Sequence, residues 1–290
     1  MKNRSAIITG DDFGFSSEVN RAIIEAHERG VLTSTSLMVT GEAFEEAVAM
    51  AHSHPELAVG LHLVVICGRS AAAPHQIPHL VDPRGQFSTS PTQAGLRYQF
   101  SRAARGELRL EIRSQLEKFR KTGLRLSHVD GHLHMHMHPI VLEALLKMAN
   151  EFGIRAIRLP WEELGITLRV NRSDLLTKCA TSWIFGRLRR YGERRLKSAG
   201  IEFTDRVYGL LQSGRMTEDY LLGLIPQIRA DRIEIYSHPT TRASEGRPTR
   251  SRGASQEQLE ALLSERVREA LDASGFTLAT YSQVNGCTTS

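Results

Sequence analysis

Short apolar runs alternate with helix-period patterns along most of the chain. Ser5–Gly10 (SAIITG) reads as a buried strand. Ser16–Gly30 follows as a helix, opened by a capping serine and closed by a glycine. Thr33–Val39 is β-rich, Glu42–Ser53 helical, and Leu57–Val64 (LAVGLHLV) again a strand. A Pro/Gly-rich loop runs from about Cys67 to Pro91. Leu96–Thr122 predicts a long charged amphipathic helix, or two. Leu126–Val129 predicts a strand, Pro139–Phe152 a helix and Arg155–Leu159 a strand. Ser173–Ala199 is helical and basic, and Tyr220–Arg229 helical. Arg232–Tyr236 (RIEIY) predicts a strand, Gln256–Ala273 a helix and Phe276–Ala279 a last strand. Alternation this sustained means βαβ units around a parallel sheet. Seven or eight units predict an α/β barrel of TIM-barrel-like (β/α) form, incomplete or distorted versions included. An open doubly wound sheet is the alternative. No repeat or linker divides residues 1–290, so the expectation is one domain with a basic helical insertion around 173–200.

Composition narrows this picture only slightly. The chain has 290 residues, 41% hydrophobic and 24% charged, an ordinary globular balance. No stretch reaches the ~18 apolar residues of a membrane-crossing helix. The first residues read as a strand and not as a signal peptide. Cys67, Cys179 and Cys287 are too scattered for a disulfide framework. The chain therefore reads as cytoplasmic.

The chemistry gathers where strands end. Asp11 and Asp12 follow the first strand. Adjacent carboxylates repel, and a metal or shared proton is one reason to tolerate them; a helix cap plus a solvated acid is the plainer one. In a strand the two would face opposite ways, but in a strand-to-loop bend both reach the same pocket. His62 lies late in the third strand, where a lone histidine is more often a hydrogen-bonded core residue. The run from His128 to Pro139 (HVDGHLHMHMHP) is the strongest signal, because imidazole is a common metal ligand. If extended, it would present His128, Asp130, His132, His134 and His136 on one face. One catalytic ion takes about three protein ligands plus water, so the others serve as supporting or substrate-binding groups. Arg158 and His238 end later strands, although His238, before Pro239, also suits a turn. Parallel α/β proteins carry their sites on this carboxyl-end face. One carboxylate with two histidines is the ligand logic of a hydrolytic metal site.

The elements DDFG, SxxVNxAIIEAHExGxxTSTSLM, GLHL, HVDGHxHxH, GIRAIRLP, SGRMTE and YSHP occur in this order over about residues 5 to 240. Together they resemble the YdjC-like (ChbG/HpnK) carbohydrate deacetylases, with the hopanoid biosynthesis-associated branch the closest in pattern. The resemblance implies a TIM-barrel-like fold and metal-dependent removal of an acetyl group from an N-acetylated amino sugar. It implies Asp12, His62 and His132 as metal ligands, Asp11 as general base and His238 as general acid. His128, Asp130, His134, His136 and Arg158 would support these or bind substrate. Gly10, where alanine is common, and the extra His138 depart from the pattern without touching the implied ligands.

The ion itself is left open. Two histidines favour Zn2+, while a carboxylate and open positions admit Mg2+, Mn2+ or Co2+. A metal phosphoesterase or amidohydrolase is a second enzyme class, but those usually open with an HxH pair where this chain has Asp11-Asp12. A metal-sensing module is the non-enzymatic class.

Charge adds a partner. The net charge is +5, with a sequence pI near 9.3. Trp183–Lys197 holds six basic residues and one acid, an excess equal to that of the whole chain. Aromatics beside arginines on a helix suit an interface with anionic lipid, and so a lipid-linked amino sugar; a solvated basic face is the plain alternative. Arg242, Arg247, Arg250 and Arg252 add charge just after His238. Nucleic acid is not expected as a partner, since the remaining features are those of a small-substrate hydrolase. A homodimer is compatible with the sequence.

Overall fold

The computed structural model describes residues 4–241 and 255–284. Arg242, Arg247, Arg250, Arg252 and Cys287 lie outside them. The strand β1 (Arg4–Phe13) is the centre of the architecture, with every residue from Ala6 to Phe13 buried. A run buried on both faces is the mark of a parallel strand covered by helices. The helix α1 (Ser17–Arg29) follows, with the Ser16 hydroxyl accepting from the Val19 amide. Next come β2 (Ser34–Leu37), α2 (Phe44–Ser53) and β3 (Ala58–Leu63).

The long amphipathic pattern resolves into α3 (Pro91–Phe100) and α4 (Arg102–Lys121), with Ser101 ending one and capping the other. Then come β4 (Val129–Gly131), a 3-10 turn over His132–Met137, α5 (Pro139–Phe152), α6 (Leu164–Val170) and α7 (Leu175–Ala199). The chain continues with β5 (Arg206–Tyr208), α8 (Glu218–Leu224) and β6 (Arg232–Ser237). It ends with α9 (Gln256–Leu263), α10 (Glu265–Ala273), β7 (Phe276–Leu278) and α11 (Tyr281–Val284). Ser264 separates α9 from α10, where one helix was expected.

The sheet has seven strands among the described residues, in the order β4-β3-β2-β1-β6-β5 with β7 on β1. Every pairing is parallel. The sheet is curled, with helices around it, and the carboxyl ends of its strands gather at one end.

Two expectations need correction. Arg155–Leu159 is not a strand. It pairs only through single bridges, Val129 with Ile157 and Ala156 with Glu202. The Arg158 amide donates to the Val129 carbonyl and the Ile157 amide to the Glu202 carbonyl, each at 3.0 Å. Pro160 follows two residues later and has no amide to continue a ladder. The segment thus works as a narrow link between β4 and the approach to β5. β5 itself, only three residues long, carried no periodic signal.

The histidine run is also not extended. Only Val129–Gly131 is strand, and Leu133 and His134 are left-handed (φ 49° and 56°). The histidines therefore fan out in different directions. His128 goes inward, stacked on Tyr281 with centroids 4.5 Å apart, and it fits only because residue 60 is glycine. A Cβ at Gly60 would overlap the His128 imidazole. Gly60→Ala should therefore destabilise the fold by about 1–3 kcal/mol, the usual cost of overpacking. The check is a lower urea midpoint at unchanged slope.

Candidate active site

Asp11 and Asp12 reach the same pocket because β1 breaks its pleat there. Its register against β2 shifts between Gly10 and Phe13, and Asp12 is left-handed (φ 67°). Aspartate tolerates that region better than most residues.

The Asp12 carboxylate oxygen Oδ1 lies 3.2 Å from His62 Nε2 and 3.2 Å from His132 Nδ1. One ligand atom from each of these three residues falls within 4.8 Å of the others. His62 is oriented from behind. Its Nδ1–H points at Asp130 Oδ1, 2.9 Å away, with Ser36 Oγ at 3.0 Å. That orientation turns Nε2 into the pocket, where this buried atom has no hydrogen-bond partner among the described residues. A carboxylate behind a histidine whose other nitrogen faces a gap is the usual outer support of a metal ligand.

Arg158 is wholly buried beneath this group. It grips Asp11 with both arms, Nη1 to Oδ2 at 2.7 Å and Nη2 to Oδ1 at 2.8 Å. It also lies 2.7 Å from Asp130 Oδ2 and donates to Glu234 Oε1 from Nε and Nη2. Thr9 Oγ and the Tyr281 hydroxyl complete the donors to Glu234, at 2.7 and 2.6 Å.

The electrostatics favour a cation. Burial opposes the charge on Arg158, but Asp11, Asp130 and Glu234 raise its pKa well above the ordinary value. Burial would raise the Asp12 pKa, yet His132 and His62 pull it well below the carboxylate range. Burial likewise opposes an imidazolium at His62, and Asp130 and Asp12 overcome it. Four carboxylates, Asp11, Asp12, Asp130 and Glu234, are buried here around one guanidinium, which meets all of them but Asp12. A divalent ion among Asp12, His62 and His132 would offset that excess, so the donor set fits one.

The remaining histidines of the run make contacts of their own. His136 donates toward the Arg158 carbonyl at 3.0 Å, and burial lowers its pKa to about 4. His134 Nε2 pairs with the Tyr236 hydroxyl at 2.7 Å, and its ring meets Phe185 edge-on. His128 and His136 are fully buried and do not reach the surface of the pocket. His138 is the cap of α5, accepting from the Ile140 amide. His238 Nε2 lies 4.0 Å from Asp11 Oδ2. The side chains of His132 and His238 are 12% and 13% exposed, against 2% for Asp11, Asp12 and His62, so the pocket opens between those two.

Sequence reasoning missed Glu234, Ser36, Tyr236 and Tyr281. Glu234 had a signal: a lone acid in an apolar strand, sharing a face with Tyr236 and His238 under period-two alternation. Tyr281 had none, because only folding brings it under β1.

Fold and site together define a parallel α/β protein with a buried His/carboxylate centre, able to hold a metal ion, at the carboxyl ends of its strands. The chain belongs to the YdjC-like protein family, whose model matches residues 5–273. It is 43% identical over 155 residues to a carbohydrate deacetylase of Brevibacillus brevis, covering 53% of this chain and 59% of that one. For the carbohydrate deacetylase of Geobacillus stearothermophilus the figures are 39% over 158 residues, 53% and 60%. The aligned part thus spans about three-fifths of those relatives. A mouse carbohydrate deacetylase is 31% identical over 255 residues, covering 80% of this chain and 77% of its own. A crystal structure from Enterococcus faecalis, described provisionally as a cellobiose-phosphate cleavage protein, superposes with TM-score 0.72 at 25% identity. That superposition covers 97% of this chain and 99% of the other.

The donor set predicts that Asp12→Ala, His62→Ala or His132→Ala each removes a stoichiometric divalent ion, measured by elemental analysis after dialysis against Zn2+ or Mg2+. Full occupancy in all three variants would refute the set.

Proposed function

We propose that the protein is a metal-dependent hydrolase that removes the acetyl group from an N-acetylated amino sugar. The observation that carries this reading is the pairing of the Asp12–His62–His132 group with an Arg158-held Asp11 and a nearby His238. The carbohydrate deacetylases among its relatives support it. A divalent ion, Zn2+ or Mg2+, held by Asp12, His62 and His132, would polarise the amide carbonyl and lower the pKa of a bound water.

The chain's own residues do the rest. Asp11 takes the proton of the attacking water as general base. Arg158 holds both its oxygens, so the carboxylate cannot rotate away, and Ser36 Oγ donates to Oδ1 at 3.3 Å. An amine is expelled from an amide carbon only if it is protonated. His238, beside the pocket opening, supplies that proton to the sugar nitrogen. Asp130 keeps His62 in its orientation. Acetate and a free amino sugar result.

The finer reading follows the pattern of the hopanoid-associated branch. The substrate is then an N-acetylglucosamine-bearing hopanoid lipid, met in the cytoplasm at the inner membrane face, with contact through Trp183–Lys197. The curled sheet reads in the same frame as an incomplete TIM-barrel-like (β/α) barrel, one domain across the chain.

Purified protein loaded with Zn2+ or Mg2+ should release acetate from that lipid or from an N-acetylated chitooligosaccharide. Which of the two turns over faster separates the lipid reading from a soluble-sugar one. No acetate from either, with either ion, would overturn the assignment. Asp11→Asn should keep its metal and lose about 10²–10⁴ in turnover, the usual share of a general base. Near-normal turnover would remove Asp11 from the mechanism.

A further inference from the structure

Glu162 is a buried acid with no part in the chemistry above, and it pins the chain just beyond β5. The pairing of β5 with β6 runs from Arg206 to Tyr208. Past that point the Leu211 amide donates to Glu162 Oε1 at 2.7 Å. The amides of Gly209 and Leu210 bond to the same carboxylate. From α6, Thr167 Oγ donates to Oε2 at 3.0 Å. Burial raises the Glu162 pKa to about 7, while the Leu211 amide, the Thr167 hydroxyl and the other two amides favour its charged form. Successive amides turned inward make an anion-binding concavity, and here the chain's own carboxylate fills it. Residues 209–211 are thus fixed from inside the protein, immediately before the SGRMTE motif at residues 213–218.

The pinned segment bears on Tyr236. Gly209 is left-handed (φ 122°) and passes close to β6. A Cβ there would lie 2.6 Å from the Tyr236 carbonyl oxygen and 3.0 Å from its ring atom Cε1. Tyr236 is buried, and its ring is where two parts of the site meet. The Arg158 guanidinium lies over that ring, 4.7 Å from the centroid. The His238 ring meets it edge-on, with centroids 5.8 Å apart. The hydroxyl pairs with His134 Nε2 at 2.7 Å. Tyr236 therefore touches both the guanidinium that holds Asp11 and the imidazole 4.0 Å from Asp11 Oδ2. Gly209 closes Tyr236 in from the β5 side. If residues 209–211 came loose, the ring would gain room to move, and His238 would move with it.

We propose that Glu162 is a positioning residue: by holding residues 209–211 it keeps Tyr236 against Arg158 and His238, and so fixes where His238 stands relative to Asp11. Its effect on turnover rests on the deacetylase reading above, but the placement of Tyr236 and its histidine neighbours does not. The bonds of Glu162 go to Gly209, Leu210, Leu211 and Thr167, none of them in the Asp12–His62–His132 group, so ion binding should not depend on it.

The test compares Glu162→Ala, Glu162→Gln and Glu163→Gln in the full chain with the same ion bound, Zn2+ or Mg2+. The readings are ion content, acetate release from an N-acetylated chitooligosaccharide, and the NMR signals of the His134 and His238 imidazoles in histidine-labelled protein. Glu162→Ala should keep its ion and shift both imidazole signals. Its kcat and kcat/KM should fall together, roughly 10- to 100-fold, with KM unchanged. Glu162→Gln, whose carbonyl oxygen still accepts from the Leu211 amide, should restore signals and turnover. Glu163→Gln should match the wild type, because Glu163 braces Arg206 and Tyr208 instead. If Glu162→Ala does not fold, Glu162→Asp, one methylene short of the amides, is read in its place. Unmoved imidazole signals in the folded variant, loss of the ion, a rise in KM in place of the fall in kcat, or equal loss with Glu163→Gln would each overturn the proposal. A wild-type protein that releases no acetate would sink the deacetylase reading, while the imidazole signals would still decide whether Glu162 places Tyr236.

Discussion

A single buried arginine holds three strands of this protein in register at their functional end. Arg158 meets Asp11 from β1, Asp130 from β4 and Glu234 from β6, with no solvent exposure. Removing one partner from a buried ion network leaves a charge uncompensated, which costs roughly 3–5 kcal/mol. That cost makes the four side chains stand or fall together. It also explains why the link from Arg155 to Leu159 stays in place with so few backbone bonds. The guanidinium anchors it from inside, and Arg189 clamps the Leu159 carbonyl from outside.

The site is further shaped by backbone that most residues avoid. Asp12, Leu133 and His134 are all left-handed. Each such non-glycine position costs on the order of 1–3 kcal/mol and persists only where the surroundings over-determine it. The surroundings do so here. His134 is tied to Tyr236 and packed on Phe185, while Asp12 lies between two imidazoles. The kink at Asp12 lets two neighbouring carboxylates do different work, one facing the histidines and one held by the arginine. The kink at 133–134 turns His132 toward Asp12 and leaves Leu133 outside.

The outer surface repeats this division of labour. On α7, the inward-facing Arg189 binds carbonyls of the scaffold, while the outward-facing Arg187 lies over the ring of Trp183. Arg189 and Arg187 lie two residues apart and have opposite environments, because two residues turn a helix by about 200°.

Much was legible in the sequence. The apolar runs marked β1, β3 and β6, and the caps Ser16 and Gly30 marked α1, because local patterning and capping act within a few residues. Asp11, Asp12, His62, His132 and His238 stood out by residue type at strand ends, and their neighbourhood follows from the parallel topology. What the sequence left undecided depended on contacts distant along the chain. β5 is short and is a strand only because β6 lies beside it. Residues 155–159 have strand composition but find a partner at only one residue on each side. The six-residue turn after β4 spreads the histidines that an extended run would have lined up. Tyr281 and Glu234 join the Arg158 network across 47 residues of sequence. Local propensity acts over a turn or two of chain, whereas a buried charge network is chosen by whatever the fold brings within 3 Å, and only the tertiary structure decides that.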